Sequence, residues 1–168
     1  EYDRATAQTA IERAIVVAAS IVNHLGDLRQ EVGLLSNGTD PTESTPQGMI
    51  GYLPRKGRGQ VTSILDVLGR LSIPDDRSFC ALVRSELQRL PWGATLVVVT
   101  SRESEDLLQT MYLLHRTGFT IVLVYVDCPS DAEFDVARQK AATLGLAAYR
   151  IQRDEDAEIW RKRAQTTA

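Results

Sequence analysis

Apolar positions along the chain alternate between two periods, and each change of period marks a new element. Ile11, Ala14, Ile15, Ala18, Ile21, Val22 and Leu25 recur at steps of three and four, which is one face of an α-helix. Val16 and Val17 widen that face, so this helix is expected to be covered on more than one side. Gly26 and Asp27 are expected to stop it. The segment from Gln30 to Ser36 carries Val32, Leu34 and Leu35 and runs into Asn37-Gly38, a turn signal, so it reads as a strand.

From Thr39 to Gly59 the aliphatic pattern gives way to prolines, glycines and hydroxyl residues. This is a long loop with room for one short strand around Met49 to Leu53. Its basic cluster, Arg55, Lys56 and Arg58, reads either as a solvated loop or as a site for an anion or an acidic partner. Helical spacing resumes at Val61, Ile64, Leu65, Leu68 and Leu71. After Pro74, Asp75 and Asp76 it returns at Phe79, Leu82, Val83, Leu87 and Leu90, up to Pro91.

Ala94 to Thr100 and Phe119 to Val126 are near-continuous runs of β-branched and aliphatic residues. Strands apolar on both sides belong to parallel sheets covered by helices on both faces. Between them Leu107, Leu108, Met111 and Leu114 form the inner face of a helix closed by Gly118. This is a β-α-β unit. A helix through Phe134, Ala137, Ala141 and Leu144, a strand from Leu146 to Ile151 and a last helix from Asp154 continue the alternation. The fold class expected is α/β, a doubly wound, mostly parallel sheet flanked by helices on both faces.

Length and charge narrow the picture. At 168 residues one domain with a substantial core is expected across 1–168. A net charge of −3 with both signs interspersed leaves no basic stripe for nucleic acid and no polybasic patch for lipid. No apolar run approaches the ~20 residues of a membrane span. Cys80 and Cys128 lie far apart in apolar surroundings, so they read as free thiols in a reducing, cytoplasmic compartment. Trp92 and Trp160 read as packing residues, and His24 and His115 as surface or interface residues on helices.

In an open α/β sheet, ligands bind beyond the carboxyl ends of the strands. Those positions are 36–38, 100–103 and 127–130. Thr100, Ser101, Glu103 and Asp127 could ring one pole there, and Ser101, Glu103 and Ser104 equally fit the cap and first turn of the following helix. There is no G-x-S-x-G elbow and no phosphate loop, so no catalytic residue, metal ligand or cofactor is assigned.

The order Glu12-Arg-Ala-Ile-Val-Val-Ala-Ala-Ser20, Glu31-Val-Gly-Leu-Leu35, Pro/Gly loop, Gly59 and Ile64-Leu65-Asp66-Val67-Leu68 resembles bacterial domain-of-unknown-function family 58. The 94–100 and 118–126 segments fit the same pattern. The resemblance implies a von Willebrand A-like fold and a non-catalytic, protein-interacting role beside MoxR-type AAA+ ATPases in the assembly or maturation of complexes. It also implies a soluble domain of a membrane-anchored protein. The Asp-x-Ser-x-Ser loop that starts the A-type magnesium site is missing from residues 1–10, so the chain is expected to begin just after the first strand. The second-motif threonine falls on Thr62, and Thr100-Ser101 stands where many A domains have Asp.

Without that first strand, strands 30–36 and 94–100 are expected to pair directly, with self-association as the fallback. The rival reading of function is a small Rossmann-like hydrolase or nucleotide-binding protein working through Ser101, Glu103 and Asp127.

Overall fold

The computed structural model describes residues 2–42, 50–72, 78–128 and 130–152. Its elements are α1 (Tyr2–Asp27), β1 (Val32–Ser36), β2 (Ile50–Arg55), α2 (Arg58–Leu68), α3 (Phe79–Glu86), a 3-10 turn (Leu87–Arg89), β3 (Thr95–Thr100), α4 (Glu105–Arg116), β4 (Thr120–Val126), α5 (Asp131–Thr143) and β5 (Ala147–Ile151). The chain divides into two compact units, Glu1–Val17 with Trp92–Ala168, and Ala18–Pro91. The helix expected from Asp154, together with Trp160, Pro74, Asp75 and Asp76, lies outside the described residues.

The first unit carries a parallel sheet in the order β3-β4-β5. Central β4 is buried almost throughout, with Leu123, Val124 and Val126 fully enclosed. Burial on both sides of one strand requires cover on both faces, and this is why its sequence does not alternate. Tyr125 meets Phe134 of α5 edge-on, with ring centroids 6.2 Å apart. The inner positions of α4 are those its spacing marks, Leu107, Leu108, Met111 and Leu114. The parallel α/β architecture is therefore present as a three-stranded sheet flanked by helices.

Both crossover helices end in the same way. Phe119 N–H donates to Leu114 O and Gly118 N–H to His115 O, with Gly118 at φ +105°. Leu146 and Gly145 repeat the pattern on Ala141 and Ala142. These paired bonds satisfy the last carbonyls and turn the chain into the next strand.

The second unit departs from the expected pairing. β1 does not join β3; it pairs antiparallel with β2, the segment read as a short strand within the loop. Sequence proximity favours this outcome, because a short connection closes at lower entropic cost than one spanning residues 36 to 95. The ladder shifts register between Val32 and Leu34. Gly33 sits at that shift, where a Cβ would lie 2.5 Å from Tyr52 O. Pro54 opposite has no N–H to offer, and the Gln60 side-chain amide fills in, donating to Val32 O at 3.0 Å and Leu53 O at 2.9 Å.

α1 ends at Asp27, as the Gly26-Asp27 pair predicts, with Gly26 inside its last turn. A Cβ on Gly26 would lie 2.6 Å from Val61 Cγ2 of α2, so glycine is required for close approach. Arg29, at φ +56°, takes the left-handed turn position, with Gln30 N–H on Leu25 O and Arg29 N–H on Gly26 O. Elsewhere in this unit, buried Asp40 accepts from Thr42 N–H (2.8 Å), Thr42 Oγ1 (2.6 Å) and the Arg70 guanidinium (3.2 Å).

Candidate cleft at the carboxyl edge of the parallel sheet

The chain leaves β3 and β4 at the same edge, and the segments that follow line a cleft of about 530 Å³. One side is Ser101, Arg102 and Glu103 from the β3–α4 connection. The other is Cys128 and the first turns of α5, with Tyr125 between them. Thr100 shapes the first side by accepting from Arg102 N–H (3.2 Å) and donating to Arg102 O (2.9 Å). Lys140, two turns along α5, donates to Glu103 Oε1 at 2.6 Å and ties the two sides together.

The helix ends at this edge are closed to anions. Ser104 caps α4 by accepting from Leu107 N–H, and Ser130 caps α5 by accepting from Glu133 N–H. Glu105 and Asp106 occupy the first turn of α4, and Asp131 and Glu133 that of α5. A helix N-terminus attracts phosphate through free N–H groups and its positive end; capped and surrounded by carboxylates, these two repel it. Only Ser104 does the capping read from the sequence. Ser101 and Glu103 face the cleft instead.

Tyr125 is 2% exposed, and among the described residues its hydroxyl has no hydrogen-bond partner. Burial, followed by the negative charge of Glu103, pushes its pKa up to about 12. Burial and then Glu133 also push the Cys128 thiol up, so it is held in its weakly nucleophilic protonated form. Arg150 stacks over Phe134 with its guanidinium 5.2 Å from the ring centre, and pairs with Asp131 at 2.5 Å.

The five site residues read from the sequence separate. Ser101 and Glu103 line the cleft, and Thr100 orders the loop behind them. Asp127 follows β4 at φ +53°, with one oxygen on Arg13 and the other buried without a partner. Thr62 is exposed on α2, in the other unit. Among the described residues no three metal-ligating side chains converge. These side chains do not fit a magnesium site, because the Arg13 charge on Asp127 opposes a cation.

Sequence reading missed Tyr125, Arg102, Glu133 and Lys140. Tyr125 did carry a signal, a polar-tipped residue near the carboxyl end of an otherwise aliphatic strand. The others carried none. Trp92, expected to pack, is 89% exposed. Among the described residues no helix is long and apolar enough to cross a membrane.

Comparison with family models, with curated proteins and with solved structures yields no match.

Proposed function

We propose that the chain is a non-catalytic protein-interaction module that engages its partner through the cleft at the carboxyl edge of the parallel sheet. The observation that carries this reading is the chemistry of the cleft. It is open and largely apolar, and its titratable hydroxyl and thiol are both shifted away from the ionised forms that catalysis uses. The resemblance to family 58, with its von Willebrand A-like fold, supplies the partner class, a MoxR-type AAA+ ATPase.

The rival reading, a hydrolase or nucleotide-binding protein using Ser101, Glu103 and Asp127, meets two obstacles. The two carboxylates this reading relies on are held by cations, Glu103 by Lys140 and Asp127 by Arg13. The capped, acidic helix ends disfavour nucleotide phosphates. The test is titration of the chain against a MoxR-type AAA+ ATPase. Ala132→Trp, which fills the cleft from an exposed position, is expected to weaken binding by about tenfold or more. Unchanged affinity in a folded variant refutes the cleft as the contact.

A further inference from the structure

The cleft has a chemistry more specific than a general contact surface. Three apolar side chains, Ala132, Val136 and Ala137, form a wall along one face of α5. The polar groups beside that wall are mainly hydrogen-bond acceptors or negative. Glu133 lines the cleft and, among the described residues, forms no ion pair. Glu103 keeps one carboxylate oxygen beyond the one bound by Lys140. Tyr125 also lines the cleft, and its hydroxyl oxygen is more than nine-tenths buried and, among the described residues, without a partner.

A buried hydroxyl without a partner carries an unrecovered desolvation cost, and a ligand that supplies a donor removes it. Among the described residues the lining cation is Arg102, an exposed residue whose backbone, rather than its side chain, is engaged by Thr100. Anionic ligands face Glu103 and Glu133 together with the acidic first turns of α4 and α5.

We infer that the cleft receives a basic side chain from the protein partner, its aliphatic stem lying on the Ala132–Val136–Ala137 wall and its ammonium reaching Glu133 and the Tyr125 oxygen. A lysine matches both halves of the cleft, because its methylenes bury against apolar surface while its charged head finds acceptors. A neutral apolar residue would leave the tyrosine and the carboxylates desolvated without partners, and an acidic one would be repelled. The inference rests on reading the cleft as an interaction surface, and its test needs no partner protein.

The test is an amide chemical-shift titration of the whole chain with N-acetyl-lysine methylamide at constant ionic strength, with the norleucine and glutamate analogues as controls. The expected result is a saturable shift confined to residues 101–103, 125–128 and 132–137 for the lysine compound alone. Glu133→Gln should weaken it by about twofold to fivefold, the range for one exposed ion pair. Tyr125→Phe should weaken it less and leave the fold intact. Equal shifts from norleucine, preference for glutamate, no saturable response, or no effect of Glu133→Gln each overturn the inference. If lysine binds and the ATPase does not, the cleft chemistry stands and the partner assignment falls; the reverse outcome rejects only the lysine pocket.

Discussion

Arg13, midway along α1, forms an ion pair with Asp127, the first residue beyond β4. Residues more than a hundred positions apart thus meet at the edge of the parallel sheet where the candidate cleft lies. Asp127 is held in a left-handed conformation at φ +53°, and its second oxygen is buried without a partner.

Removing Arg13 leaves a largely buried carboxylate unpaired. Arg13→Met is expected to destabilise the chain by about 1–3 kcal/mol in urea denaturation. Asp127→Asn should be milder, because asparagine tolerates the left-handed region. Asp127→Val should be worse than either, since a β-branched residue is strained there. A loss below about 0.5 kcal/mol for Arg13→Met would place the pair with ordinary surface ion pairs.

The end of α1 offers a gain and a loss three residues apart. Arg29→Gly should stabilise by about 0.5–1 kcal/mol, because it relieves a side chain at φ +56°. Gly26→Ala would improve helix propensity on an isolated peptide. Here it is expected to destabilise by about 1–3 kcal/mol, since the new methyl lies 2.6 Å from Val61 Cγ2. Thermal melting of the two variants should move in opposite directions.

Tyr125 predicts an alkaline limb of stability. Its folded pKa is raised from 10.0 to about 12, so folding favours the protonated phenol. That contribution is complete below pH about 10 and is lost as pH rises toward about 12. Its size is about 2 kcal/mol. Ultraviolet titration should show one tyrosine ionising late, and Tyr125→Phe should remove both that step and part of the alkaline loss.

Asp40 predicts the opposite limb. Its pKa is lowered, first by the Thr42 side-chain hydrogen bond, then by the Thr42 N–H and Arg70. The stabilisation is present above the ordinary aspartate pKa and disappears as pH falls through the lower folded value. Asp40→Asn should flatten the acid side of the stability profile, and an unchanged profile would show that the carboxylate's partners do not matter.

Periodicity and residue type determined by themselves where most of the described elements lie. The apolar runs of β3 and β4, the inner face of α4 and the glycines at 118 and 145 depend on interactions within a few residues, so they are readable along the chain. The parallel arrangement followed because strands apolar on both sides need two covered faces. Tertiary structure alone decided which strands pair. An apolar strand carries hydrogen-bonding groups on both edges and does not name its neighbour, so β1 could be read toward β3 although it joins β2. The same holds for the cleft. Ser101 and Glu103 were visible as strand-end residues, but whether a serine there caps a helix, as Ser104 does, or lines a pocket, as Ser101 does, turns on three residues of register. Lys140 and Arg13 reach their carboxylates across 37 and more than a hundred positions, distances over which only the folded chain brings charges together.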